Sequence, residues 1–90
     1  MAQYIKTNLE VQEVRPKNGT DFQWEELRDF VGGYIEIVHL NEKQLMVVNE
    51  EGKIYGLEYN PIASEAFHLC KGFYEEIVGN VLICDVEQIK

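Results

Sequence analysis

Basic residues are scarce in this sequence. Eight Lys and Arg stand against sixteen Asp and Glu, for a formal net charge of −8 over 90 residues. Lys6, Arg15, Lys17, Arg28, Lys43, Lys53, Lys71 and Lys90 are scattered singly and build no patch. Such a chain repels phosphate backbones and anionic bilayers, so direct nucleic acid binding and membrane-surface binding are not expected. Cysteine is nearly absent too. Cys70 and Cys84 are alone, with no Cys-x-x-Cys pair, which leaves neither a disulfide framework nor the ligand spacing of a zinc site. No apolar run approaches the roughly 20 residues that span a bilayer. Met1-Ala2-Gln3-Tyr4 has neither the basic nor the apolar region of a leader, so the expected location is the cytoplasm, with reduced thiols. Internal repeats and low-complexity segments are missing as well.

What remains is enough for one core. The apolar fraction is 46% and the aromatic fraction 11%, which excludes a disordered chain and fits a single domain over residues 1–90. From Tyr4 to Val14 the chain alternates, with Ile5, Leu9 and Val11 on one parity, which predicts a half-buried strand. Arg15-Pro16-Lys17-Asn18-Gly19 ends it in a turn. Trp24, Leu27 and Val31, with Phe30 beside them, predict a helix over 24–31 with one apolar stripe. With Gln23 as its N-cap, Glu26 can reach back to the cap N–H, and Phe22 and Leu27 occupy the positions of a hydrophobic staple. Gly32-Gly33 stops the helix. Because these glycines follow a helix, they are not a phosphate-binding loop.

Three strands are then predicted as an antiparallel meander: 34–40, 45–48 and 54–59. The unbroken apolar run Leu45–Val48 reads as a strand covered on both faces. Asn60-Pro61 opens a second helix, since Asn caps well and Pro suits the first helical position. Its apolar stripe is Ala63, Ala66, Phe67 and Cys70, and Gly72 ends it. Gly79-Asn80 reads as a turn and Val81–Cys84 as the last strand, with residues 87–90 expected to fray. Phe73-Tyr74-Glu75-Glu76 carries no clear pattern. The expected fold is α+β: a small, mostly antiparallel sheet with two short helices on one face, in the order β-α-β-β-β-α-β.

Several blocks resemble a known family. Arg-Pro-Lys-Asn-Gly (15–19), Glu-Glu-Leu (25–27), Val-Gly-Gly-Tyr-Ile-Glu (31–36), Met-Val-Val-Asn-Glu-Glu-Gly-Lys (46–53), Leu-x-x-Asn (57–60) and Ile-Val-Gly-Asn-Val-Leu-Ile (77–83) follow one another in order. Together they are similar to the uncharacterised family catalogued as domain of unknown function 3846, over about Val14 to Asp85. The Val-Gly-Gly-Tyr-Ile-Glu block at 31–36 and the Asn-Glu-Glu-Gly-Lys stretch at 49–53 are the specific parts. Gln23 departs from the Ser or Thr usual at that cap. The resemblance implies a small accessory protein of bacteria, phages or mobile elements, and it brings no activity.

Candidate chemistry is sparse. His68 and Cys70, two apart on a helix, point about 200° away from each other and cannot easily share an ion with Cys84. A Cys–His nucleophilic pair is disfavoured by the acidic surroundings, and both thiols are expected in the core. The adjacent pairs Glu25/Glu26, Glu50/Glu51 and Glu75/Glu76 do not face one another as acid/base dyads. No catalytic residue, metal ligand or cofactor is therefore nominated. The expected working surface is Tyr34, Glu36, Asn49, Glu50, Glu51, Tyr59, Asn60 and Asn80: acidic and tyrosine-bearing, with turn asparagines. The leading expectation is a non-enzymatic module that binds or inhibits an unidentified protein partner. The alternative is sequestration of a small ligand, such as a nucleotide signal, within a homo-oligomer.

Overall fold

The computed structural model describes residues 2–89. It is an α+β fold built on five antiparallel strands in the spatial order β2-β1-β5-β4-β3. The strands are β1 (Ala2–Ile5), β2 (Val11–Val14), β3 (Ile35–His39), β4 (Gln44–Asn49) and β5 (Val81–Asp85), and the helices are α1 (Trp24–Val31) and α2 (Pro61–Lys71). Five strands and two helices are as expected, and the strand boundaries differ in two places. Along the chain the elements run β1-β2-α1-β3-β4-α2-β5.

The first difference is at residues 4–14, which form a hairpin rather than one strand. Asn8 Oδ1 accepts from the Glu10 N–H, the Lys6 N–H donates to Glu10 O, and Leu9 takes a φ of 76°. Leu9 happened to share parity with Ile5, but it stands at the exposed tip. Asn8 was the turn signal. The second difference is at 54–59. Residues 50–56 wind through consecutive turns, with the Tyr55 N–H on Glu51 O and the Leu57 N–H on Gly52 O. Ile54 is left 80% exposed, and the chain touches the 77–79 segment through a single bridge, Tyr59 to Val78. Two glycines within five residues favour turns over a ladder here. The meander thus shrinks to the β3–β4 hairpin, and β5 takes the place beside β4.

The helices lie on opposite faces of the sheet, not on one. Leu45, Val47, Leu82 and Cys84 face α1 and pack with Phe22, Leu27 and Val31. Met46, Val48, Val81 and Ile83 face α2 and pack with Ala63 and Phe67. The alternate residues of β4 and β5 are apolar on both sides, as a strand covered twice requires.

Local grammar sets the helix ends. Glu26 is buried, and its two carboxylate oxygens accept from the Lys17 and Gln23 N–H groups, both at 2.9 Å. It ties the 15–19 turn to the start of α1. Replacing Glu26 with Ala should cost about 2 kcal/mol, and Gln, which keeps one acceptor, about half of that. Urea unfolding of both variants checks this, and equal losses would contradict it. Phe22 and Leu27 share one cluster, as the staple predicts. Trp24 departs from prediction: at the first helical residue it is 58% exposed, and Phe22 takes its expected place in the core. In α2 the buried set is Ala63, Ser64 and Phe67, while Cys70 is exposed. Phe73 folds back edge-on against Phe67, and Ser64 Oγ accepts from the Ile77 N–H at 2.8 Å. Gly32 and Gly72 end the helices in the left-handed conformation, with φ of 78° and 81°. Val86–Gln88 form a 3-10 turn rather than fraying, and Gln88 O accepts from the Phe22 N–H. Lys90, included in the expected fraying, lies outside the described residues.

Candidate functional site

A cavity of about 210 Å³ opens on the α2 face of the sheet, beside β3. Val38 and Val48 form part of the cavity's wall together with Phe67 and Ile77. These side chains are half-buried or buried. Four carboxylates surround the apolar surface: Glu36 from β3, Glu50 from the turn after β4, and Glu75 and Glu76 from the segment leading to β5. All four are exposed, and among the described residues Lys53 is the one basic side chain lining the cavity. Among the described residues no ion pair engages these four glutamates. The arrangement suits a group with an aliphatic body and a positive end, since the walls take up the body and the carboxylates attract the charge.

Three of the eight predicted surface residues meet here: Glu36, Asn49 and Glu50. Asn49 lines the cavity but its amide is committed, because Nδ2 donates to Val31 O and Oδ1 accepts from the Glu51 N–H. Glu51 is half-buried and is not part of the cavity lining. Tyr34 lies under the Arg28 guanidinium at 4.9 Å, at the end of α1. The Tyr59 hydroxyl meets that of Tyr74, and this hydrogen bond holds the Tyr74 phenol above its usual range. Asn60 is fully buried: its Nδ2 donates to Ile5 O and Gly79 O, and its Oδ1 caps α2 through the Ala63 N–H. Asn80 accepts from the Thr7 N–H and donates to the Tyr4 hydroxyl. Asn60 and Asn80 thus spend their side chains on the fold. Glu75, Glu76 and Lys53 were not singled out. As sequence neighbours the glutamates do not face one another, yet an acidic pair between Phe73-Tyr74 and Ile77-Val78 marks a segment half in and half out of the core.

The sheet separates Cys84 from His68 and Cys70, so the three cannot share an ion. Cys84 packs on the α1 face, whereas His68 and Cys70 belong to α2 on the other, with the His68 ring against Tyr74. Among the described residues no cluster of three or more His, Cys, Asp or Glu is placed to hold a metal ion. Burial first, and then the neighbouring Asp85, push the Cys84 thiol up to about 12, far from the range of a reactive thiolate. No helix among the described residues is long and apolar enough to cross a membrane.

The family model for a domain of unknown function (DUF3846) matches residues 4–89. No curated protein and no solved structure matches the chain.

Proposed function

The chain belongs to the family of this domain of unknown function, and from that premise we propose a non-enzymatic accessory protein that holds a basic protein partner through the cavity beside β3. The observation carrying this reading is the pairing of an apolar wall with four exposed carboxylates around one opening. A lysine or arginine side chain matches both parts, with its methylene stem against Val38 and Phe67 and its charge among the glutamates. An anionic nucleotide would meet repulsion at the same rim, which favours a basic partner over capture of a nucleotide signal. The proposed setting is the cytoplasm of a bacterium, with the gene belonging to the cell, a phage or a mobile element, as the resemblance implies.

Titration with a tetralysine peptide should show binding that weakens as salt is raised. The double substitution Glu75→Lys with Glu76→Lys should weaken it about tenfold at low salt. Glu13→Lys with Glu87→Lys makes the same change in net charge at exposed positions away from the cavity and should have a much smaller effect. Equal losses in the two double variants would reduce the interaction to bulk charge and remove the cavity from the proposal.

A further inference from the structure

β3 is an end strand, and its outer side has no partner among the described residues. The register shows which groups that side presents. The Glu50 N–H donates to Tyr34 O and the Leu40 N–H donates to Gln44 O, and between these two closures Glu36 lies opposite Val48 and Val38 opposite Met46. In an antiparallel ladder the hydrogen-bonded residues alternate. The backbones of Glu36 and Val38 therefore turn toward β4, while those of Ile35, Ile37 and His39 turn outward. An open run of N–H and C=O groups of this kind can receive another strand. The side chains of Glu36 and Val38 stand on the same face as the cavity and help to line it.

We propose that an extended segment of a basic partner adds to β3 as a sixth strand and places lysine or arginine side chains in the adjoining cavity. This rests on the reading of the cavity as a site for a basic partner and supplies its mode of attachment. A strand laid beside β3 would run about 4.8 Å away, with side chains on one face recurring about every 7 Å. Those opposite Glu36 and Val38 point onto the cavity face, where Glu75 and Glu76 wait across the opening. Charge selects the occupant. A second copy of this chain would bring another net charge of −8 to the same edge, whereas a cationic segment neutralises the rim. Main-chain bonds then supply affinity, and the cavity supplies the preference for a long cation at alternate positions.

The probe is a nine-residue synthetic peptide of alternating lysine and valine, compared with the same peptide N-methylated through its five central residues. Both are titrated into the isotopically labelled protein. Strand addition predicts that amide exchange at Ile35, Ile37 and His39 slows about tenfold or more at saturation. It also predicts that N-methylation weakens binding about tenfold or more. If both peptides bind equally, shift the signals of Glu36, Glu75 and Glu76, and leave the three outward amides unprotected, strand addition is overturned while the cavity reading stands. Absence of binding by either peptide at low salt overturns both. Protection of the three amides that persists in the Glu75→Lys, Glu76→Lys variant with undiminished affinity keeps the strand but removes the lysine-in-cavity half, and so overturns the proposal as stated.

Discussion

Substituting Asn60 with Ala should remove about 3 kcal/mol of stability and lower the melting temperature by roughly 12–24 °C. The side chain is fully buried and serves three segments at once. Its oxygen caps α2 at 3.0 Å, and its amide nitrogen reaches Ile5 O at the end of β1 and Gly79 O before β5, at 3.1 and 2.8 Å. Loss of the cap costs about 1 kcal/mol. Buried carbonyls deprived of a donor cost about 1–3 kcal/mol each, reduced where other partners remain. Asp at the same position makes a sharper comparison. It retains the cap acceptor but turns a carboxylate oxygen toward two carbonyl oxygens, so Asn60→Asp should be no more stable than Asn60→Ala at neutral pH. Thermal unfolding of both variants checks this. A loss below about 1 kcal/mol in Asn60→Ala would mean that other donors reach both carbonyls.

The second large effect is a pH dependence. Burial and Asp85 raise the Cys84 thiol from its ordinary 9.0 to about 12 in the folded chain. Below pH 9 the thiol is neutral in both the folded and unfolded states and does not alter the slope. Between about pH 9 and pH 12 the unfolded chain releases a proton that the folded chain keeps. Stability therefore falls as pH rises through that window, by about 1.4 kcal/mol per unit, and the decline stops above the folded value. For a small domain whose total stability is of order 5–15 kcal/mol, this is a substantial alkaline lability. Urea unfolding at pH 8, 9, 10 and 10.5, for the protein and for Cys84→Ala, isolates the thiol because the two chains share every other ionisable group. Parallel slopes would show that Cys84 ionises normally within the fold. Its counterpart Cys70 is exposed and should react readily with thiol reagents at neutral pH.

Local signals with a stereochemical cause were readable in the sequence. Pro61 after Asn60, glycine after each helix and the staple of Phe22 on Leu27 all correspond to geometry in the structure. So does the unbroken apolar run in β4, which is covered on both sides. The pattern left two things open. One was which side each helix takes: a strand apolar on both faces demands cover twice, but it does not say which helix supplies it. The other was any position whose environment is made by distant segments. Cys70 continues the α2 stripe by angle, yet Phe73 closes over Phe67 instead and leaves the thiol outside. The cavity follows the same rule. Glu36 and Glu50 were visible as charged residues at a strand and a turn, but Glu75 and Glu76 join them only because the chain after α2 returns beside the β3–β4 hairpin.

The double cover of β4 also bears on how a folding chain finds the correct alignment. In a one-sided sheet a slip by one residue throws the apolar set into water, so polarity alone rejects the error. Here a slip exchanges Leu45 and Val47 for Met46 and Val48, apolar for apolar, and solvation barely discriminates. The rejection must come from a polar group with one acceptable seat. Asn49 is that group: at the native alignment its amide reaches Val31 O and the Glu51 N–H. Gly33 leaves it room, since a Cβ there would stand 2.9 Å from the Asn49 amide nitrogen. One step away, the same amide would lose Val31 O, the partner that another segment supplies, while the local bond from the Glu51 N–H would travel with it. Asn49 thus acts as the proofreading mark of the hairpin, making misalignment costly where the apolar residues on either side would tolerate it.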